Sequence, residues 1–254
     1  FVNGVLRSIA RNLDKVEYPD PKTMPIPYLS VTYSMPEWIL KSWAASYGVE
    51  TVEKICQAFH QEPKTYVRCN LNRADKETIV DSLKEQRITV NQAPYLDYAL
   101  EIENYNYLKA VEAFKKGWIQ VQDVSSMLVA EIAGIKAGDL VVDLCAAPGG
   151  KTLAVADKLN GPGKVSSRDV SQKKVELIQE NVTRMGFHNI EASVKDATVF
   201  DSSIMDQADV VIADVPCSGL GVIGRKKDIK YNMTLEKIKS LVPLQREILE
   251  KAAC

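Results

Sequence analysis

A glycine-containing segment after a short apolar run is the first feature that could do chemistry. Residues 140–144 form the run, and Cys145-Ala146-Ala147-Pro148-Gly149-Gly150-Lys151 follows it. The glycines lack side chains, so the backbone there can approach a ligand closely. The helix predicted to follow would direct free N–H groups at that ligand. We predict a ligand-binding loop, although two adjacent glycines alone could equally form a structural turn.

Carboxylates come at the ends of four predicted strands, at Asp143, Asp169, Asp196 and Asp214. Any one of them could simply cap a loop, but four at successive strand ends favour a site rich in hydrogen-bond acceptors. S-adenosylmethionine needs such acceptors, because it carries a ribose diol, an adenine and a charged amine but no phosphate chain. Asp169 lies 19 residues after Gly150, where related nucleotide folds place an acidic residue on the ribose. Asp196 could accept from the adenine amino group.

Two other cofactors compete for the same loop. Gly150-Lys151-Thr152 fits the end of a triphosphate-binding loop, and residues 210–214 imitate the apolar strand and Asp that bind magnesium in such enzymes. The first glycine of that motif is replaced by Cys145, however, and the dinucleotide motif G-x-G-x-x-G is absent. The residues therefore favour S-adenosylmethionine and leave an ATP-binding protein as the alternative.

A proline and a cysteine follow the fourth carboxylate, in Asp214-Val215-Pro216-Cys217-Ser218-Gly219. A thiol beside a methyl donor suits carbon methylation of a pyrimidine. A thiolate that adds to C6 of cytosine makes C5 able to take a methyl group, which is covalent catalysis. Methylation of an amine or an oxygen needs no such thiol. We therefore predict that Cys217 lies at the mouth of the site.

Three motifs together resemble the bacterial small-subunit ribosomal RNA cytosine-C5 methyltransferases of the Sun/Fmu (RsmB-like) type. They are D-L-C-A-A-P-G-G-K-T, A-D-V-P-C-S-G-L-G and, upstream, V-Q-D-V-S-S at residues 121–126. The resemblance implies an α/β fold with a Rossmann-like methyltransferase sheet, of which the first half is present. It also implies that a small α+β RNA-binding subdomain and the last helix of an all-α RNA-binding domain precede the sheet.

The resemblance also implies roles for individual residues. The family's methyl donor would be bound by Cys145, Ala146, Ala147, Pro148, Gly149, Gly150, Lys151, Asp169, Asp196 and Asp214. Cys217 would assist release of the product, while the nucleophile would lie in a Thr-Cys motif beyond Cys254. Cys254 lacks a preceding Thr, and we expect it to be a buried residue before a fifth strand. The implied substrate is 16S ribosomal RNA, and a non-catalytic RNA-binding module remains an alternative.

RNA contacts must come from local patches, because the formal net charge of the chain is only −1. A basic cluster follows the Pro-Cys loop and comprises Arg225, Lys226, Lys227 and Lys230. Such a run could be an ordinary solvated surface, but its place in the sequence favours contact with RNA phosphates.

The chain is expected to have four parts. Residues 1–17 are a remnant of a helical RNA-binding domain, and residues 18–33 are a proline-rich extended linker. Residues 34–116 hold a helical segment and the small α+β subdomain, with Ser34 and Asp75 as predicted helix caps. Residues 117–254 are the truncated methyltransferase domain, in which strands and helices alternate and the strands are predicted to be parallel.

Composition indicates where such a protein works. Five scattered cysteines and two isolated histidines form no zinc motif and suit a reducing cytoplasm. No apolar run is long enough to span a membrane, and the first residues do not form a signal peptide. The chain opens without Met and within a helical pattern, so we expect a fragment.

Overall fold

The computed structural model describes residues 1–15, 17–159 and 161–253. Cys254, which we expected to be buried, lies outside the described residues. The chain divides into two compact units. The first comprises Phe1–Pro63 with Ser218–Lys237, and the second comprises Lys64–Cys217 with Ile238–Cys254. No helix within the described ranges has the length and apolar character that a bilayer crossing requires.

The first unit contains α1 (Val2–Arg11), α2 (Pro25–Tyr33), α3 (Glu37–Tyr47), α4 (Val49–His60) and the short α10 (Ile229–Asn232). Its core is the buried cluster of Leu29, Met35, Ile39, Leu40, Val52, Cys56 and Ile223. The predicted linker over residues 18–33 is wrong in its second half, because α2 begins at Pro25. Proline is tolerated at the first helical position, since its missing N–H would have no partner there anyway.

The prediction that Ser34 caps α3 is also wrong. Ser34 ends α2 in the left-handed conformation, with φ of 49°. α3 starts after Pro36 and has no side-chain hydrogen bond at its cap.

The second unit begins with a small antiparallel sheet. Its elements are β1 (Thr65–Cys69), α5 (Lys76–Glu85), β2 (Thr89–Gln92), β3 (Ala99–Glu103), α6 (Glu112–Lys115) and β4 (Ile119–Val121). The strand order is β2-β3-β1-β4. Asp75 caps α5 as predicted, because its carboxylate accepts from the backbone N–H of Thr78 at 2.7 Å.

The boundary predicted at residue 116 is wrong, since β4 pairs with β1 and extends the small sheet beyond it. Three residues are too few to show the alternation that predicts a strand.

A parallel sheet completes the second unit. Its elements are α7 (Val124–Ile132), β5 (Leu140–Asp143), α8 (Gly150–Leu159), β6 (Lys164–Asp169), α9 (Gln172–Met185), β7 (Ile190–Val194) and β8 (Val210–Ile212), followed by α11 (Leu235–Ala252). The order is β7-β6-β5-β8, and all three pairings are parallel. This confirms the predicted strand-helix alternation and places the carboxyl ends of four strands along one edge.

Candidate cofactor site

The four predicted carboxylates lie along one edge of the parallel sheet. Asp143 and Asp169 are the last residues of β5 and β6, while Asp196 and Asp214 come two residues after β7 and β8. The strand order therefore sets the carboxylates in the spatial order 196, 169, 143 and 214. Residues far apart in sequence are thus brought to the edge at which open parallel sheets bind ligands.

The loop between β5 and α8 is held by backbone and carboxylate contacts. The backbone N–H of Ala147 donates to Asp169 Oδ2 at 3.0 Å, and that of Ala146 donates to the carbonyl of Arg168 at 2.8 Å. Gly149 has φ of +100°, a conformation that strains other residues, and a Cβ there would lie 3.5 Å from Ile178. The first glycine of the pair is therefore required by the backbone path of the loop.

The two residues that imitate a triphosphate-binding motif are held by protein groups. Lys151 Nζ donates to Asp214 Oδ2 at 2.6 Å. The hydroxyl of Thr152 is buried, donates to Asp143 Oδ2 at 2.7 Å and lies 2.9 Å from Ser167 Oγ. In a triphosphate loop these groups would contact phosphate and magnesium. The geometry therefore does not support the ATP alternative.

Asp143 is the most buried of the four carboxylates, with no exposed surface. Burial raises its pKa from 3.8 to about 6, against the hydrogen bond from Thr152 and the charge of Lys151, which lower it. Oδ2 accepts the Thr152 bond, but Oδ1 has no partner among the residues that the structure describes. A buried carboxylate oxygen without a donor is costly, and its placement here fits a site that a cationic ligand completes.

Two cavities lie at this edge. The one beside Asp143 has a volume of about 170 Å³, and its lining includes Gln122, Cys145, Gly150, Lys151 and Asp214. The other, of about 260 Å³, lies beside Asp196 and is lined by apolar residues such as Val142 and Phe200. Asp196 also stabilises its own turn by accepting from the Thr198 backbone N–H at 2.9 Å. Of the predicted cofactor residues, Asp196 lines the second cavity and most of the loop with Asp214 lines the first, whereas Gly149 and Asp169 line neither of these two.

The two cysteines of the motifs differ in environment. Cys145 is half-buried, and burial together with the charges of Asp169 and Asp143 raises its pKa to about 11. Its thiol is therefore neutral and unsuited to nucleophilic attack at neutral pH. Cys217 is exposed. Its loop is held by Gln245, whose Nε2 donates to the carbonyl of Pro216 at 2.8 Å.

The basic cluster lies in the first unit, and its members are not equivalent. Arg225, Lys226 and Lys227 are exposed. Lys230 is buried, and its ammonium donates to the carbonyl of Tyr33 at 3.5 Å. Desolvation and the charge of Lys227 lower the pKa of Lys230. The structure thus corrects the predicted role of Lys230, because a buried ammonium that donates to the backbone does not reach an RNA phosphate.

Gln122 is the site residue to which sequence reasoning gave no role. Gln122 is buried and lines the cavity beside Asp143. Neither polar atom of its carboxamide has a hydrogen-bond partner within the described part of the chain. The one signal in the sequence was its place in the motif at residues 121–126, which contains neither a charge pattern nor a spacing that predicts ligand contact.

Comparison with known proteins gives two family matches. The model described as 16S rRNA methyltransferase RsmB/F matches residues 131–254. The model described as the ferredoxin-like domain of RsmF/B-like methyltransferases matches residues 35–107.

Among curated relatives, the probable ribosomal RNA small subunit methyltransferase B of Bacillus subtilis (strain 168) is 37% identical over 254 residues, which is all of this chain and 56% of that protein. The protein of the same description from Synechocystis is 29% identical and aligns with 89% of this chain and 51% of its own length. The chain spans about half the length of the curated relatives it matches.

Solved structures give the same fold. The crystal structure of PH0851 has a TM-score of 0.85 at 30% identity, covering 95% of this chain and 55% of that one. NSun6 from Pyrococcus horikoshii, solved with SFG, has a TM-score of 0.76 at 21% identity and covers 85% of this chain and 79% of its own. The two matched models together cover most of the sequence, the first over the parallel sheet and the second over α3, α4 and β1 to β3, so the chain belongs to the RsmB/F family of 16S ribosomal RNA methyltransferases.

Proposed function

We propose that this chain forms the methyl-donor site of an enzyme that methylates C5 of a specific cytosine in small-subunit ribosomal RNA. The cofactor of the family is S-adenosylmethionine. The observation that carries the proposal is the buried carboxylate of Asp143, whose Oδ1 has no hydrogen-bond partner among the described residues. It lies on the same sheet edge as the exposed thiol of Cys217. The first group suits a cationic donor, and the second suits covalent chemistry on a pyrimidine.

The residues of the site fit this cofactor. Its positively charged amine requires an acceptor, and Asp143 Oδ1 is an unpartnered acceptor in the described structure. The proposed binding residues are the loop from Cys145 to Lys151 together with Asp169, Asp196 and Asp214. When bound, S-adenosylmethionine supplies an electrophilic methyl group. The loop residues would hold it and exclude water from the cavity.

Cys217 is proposed to act at the end of the reaction. In the implied chemistry, a cysteine thiolate of a Thr-Cys motif adds to C6 of cytosine and C5 then takes the methyl group. A base next removes the C5 proton as the C6–S bond breaks and the thiolate leaves. Cys217 would assist that elimination. Its loop follows β8 directly, and the pairing of Asp214 with Lys151 fixes the start of this loop against α8.

Ligand binding tests the cofactor assignment on the chain itself. We expect S-adenosylhomocysteine to bind in isothermal titration calorimetry, because Asp143 and the neighbouring carboxylates supply acceptors for it. ATP with magnesium should not bind, since Lys151 and Thr152 are already engaged. Binding of ATP without binding of S-adenosylhomocysteine would overturn the proposal.

Covalent trapping tests the role of Cys217. The experiment uses a protein that contains these residues and the implied Thr-Cys segment, incubated with small-subunit ribosomal RNA and S-adenosylmethionine. Cys217→Ala should accumulate an RNA-protein adduct that survives denaturation, because release is impaired. Cys56→Ala is the matched control, since Cys56 lies in the helical core, and it should release RNA normally.

The position of methylation is a separate test. Sequencing after bisulfite treatment would locate the methylated cytosine, and methylation at an atom other than C5 would contradict the proposed reaction.

RNA binding is proposed for the exposed part of the basic cluster, Arg225, Lys226 and Lys227. Charge reversal of Lys226 and Lys227 should weaken RNA binding and reduce the slope of log K against log salt by about 2. Lys41→Glu is the control, because Lys41 is exposed in the same unit and pairs with Glu37 instead. Unchanged affinity and slope in the double variant would refute this contact. RNA binding without any methyl transfer by the same Thr-Cys-containing protein would favour the non-catalytic alternative.

A further inference from the structure

Gln122 occupies an unusual position at the end of the small sheet. It directly follows β4, and its backbone N–H donates to the carbonyl of Tyr66 at 3.1 Å, which continues the pairing of β4 with β1. Its main chain is thus fixed by the antiparallel sheet. Gln122 as a residue is 6% exposed, and neither Oε1 nor Nε2 has a hydrogen-bond partner within the described ranges. A buried amide left unpaired is destabilising, so this placement points to a ligand.

The cavity that Gln122 lines has a defined polarity. Asp143 also lines it and keeps Oδ1 without a partner in the described structure. Lys151, by contrast, is paired with Asp214. Among the described residues that line it, Gln122 Oε1, Gln122 Nε2 and Asp143 Oδ1 are buried polar atoms without a hydrogen-bond partner, which makes two acceptors and one donor group.

Gln122 lies close to Gly150, the first residue of α8. A Cβ at Gly150 would stand 3.7 Å from Gln122 Cδ and 3.8 Å from Nε2. The carboxamide thus lies against the first residue of α8, at the point where the cofactor loop becomes helical.

This combination of groups matches the head of an α-amino acid. The ligand's ammonium has three donors and suits the two acceptors of the protein. The ligand's own α-carboxylate suits the amide donor of Gln122. A phosphate would face the charge of Asp143, and an apolar group would leave all three protein atoms unpaired. Asp169 and Asp196 lie on the other side of β5, so a ligand whose ribose and base face them would direct its opposite end to this cavity.

We propose that Gln122 binds the amino-acid end of S-adenosylmethionine, with Oε1 accepting from the ammonium beside Asp143 and Nε2 donating to the carboxylate. The proposal rests on the proposed function and deepens it. It means that the small antiparallel sheet supplies a direct contact to the donor bound by the parallel sheet.

Two ligands separate this contact from general loss of the site. S-adenosylhomocysteine carries the amino-acid end, whereas 5′-methylthioadenosine keeps the adenosine and the thioether but lacks it. Calorimetric titration of the 254-residue chain should show that Gln122→Met, which keeps the side-chain volume, weakens S-adenosylhomocysteine about tenfold. The same variant should change the affinity for 5′-methylthioadenosine less than about twofold. Gln86→Met is the matched control, because Gln86 is exposed in the small sheet's subdomain, and it should change neither affinity.

The outcomes are distinguishable. If Gln122→Met weakens both ligands equally, or neither, this inference is overturned while the proposed function stands. If the unaltered chain binds neither ligand, the proposed cofactor site itself fails. Folding is checked by the apo melting temperature, which should not fall in Gln122→Met, since the variant removes a buried amide without partners. A melting temperature lower by several degrees would count against the inference, because it would show that the amide stabilises the fold.

Discussion

Two carboxylates near opposite ends of α8, the half-buried Asp157 and the buried Asp143, are in opposite situations. Near its last turn, Asp157 accepts from Arg68 Nη1 through Oδ2 and from Asn72 Nδ2 through Oδ1. Near its first turn, Asp143 accepts from Thr152 through Oδ2 and leaves Oδ1 without a partner in the described structure. Burial raises the pKa of both carboxyls. The protein thus compensates the first carboxylate internally, whereas the second is the one that we propose to meet a ligand.

The largest expected effect is on the structural pair. Arg68→Ala should lower the free energy of unfolding by about 3 kcal/mol, because it leaves the carboxylate of Asp157 without its buried counter-charge. Urea denaturation measures this change. The double variant Arg68→Met with Asp157→Leu should be less destabilised than Arg68→Ala, since Arg68 Nε and Nη2 already lack partners among the described residues and both charges are removed together. A double variant that is less stable than the single one would show that the attraction between the two charges exceeds the free-energy cost of removing them from water.

Substitution of Asp143 should have the opposite effect on the free energy of unfolding. Asp143→Asn removes a charge whose ionisation is opposed by burial, so the apo protein should gain about 1–2 kcal/mol at pH 7.5. The gain should be absent below pH 4 and should grow as the pH rises from the ordinary pKa of 3.8 towards about 6. Urea denaturation across this range checks it. The same variant should lose affinity for S-adenosylhomocysteine, and a loss of stability instead would place Asp143 with Asp157 as a structural charge.

Ligand affinity should depend on the same titration. Below about pH 6 Asp143 becomes protonated in the apo protein and loses the charge that attracts the ammonium, so the affinity for S-adenosylhomocysteine should fall by up to about tenfold per pH unit. Calorimetry between pH 5 and 7.5 measures the slope. Asp143→Asn should flatten it, and a slope retained in that variant would assign the dependence to another group.

The smallest expected effect is on a half-exposed pair near Asp157. Lys158 contacts Glu131 at 2.7 Å, and the two side chains are 38% and 30% exposed. Lys158→Ala should therefore lower the free energy of unfolding by only about 0.5 kcal/mol. Equilibrium unfolding of Lys158→Ala and Arg68→Ala under the same conditions compares the two free-energy changes directly. A loss of unfolding free energy comparable to that of Arg68→Ala would mean that solvent exposure does not explain the different contributions of the two ion pairs.

Much of the parallel sheet could be predicted from sequence, because apolar runs and helices alternate regularly and each strand ends at a carboxylate. Residues 190–194 and the cap at Asp75 are examples in which pattern and structure agree. The pattern is misleading at Pro25 and Ser34, because proline is compatible with a helix start and Ser34 adopts a left-handed conformation. Lys230 was misassigned because the burial of a lysine depends on tertiary packing. Gln122 was missed for the same reason, as an unpaired amide is defined only by its three-dimensional surroundings.

The β5–α8 loop and the first turn of α8 are tied, through three different residues, to carboxylates at or just after the ends of three strands. Ala147 bonds to Asp169, Thr152 to Asp143 and Lys151 to Asp214. These bonds exist before any ligand arrives, so the conformational entropy of ordering the loop is lost during folding and not during association. Association with the donor should therefore proceed in a single kinetic step without a slow rearrangement of this loop, and exchange of spent for fresh donor should be governed by the rate at which the ligand itself leaves.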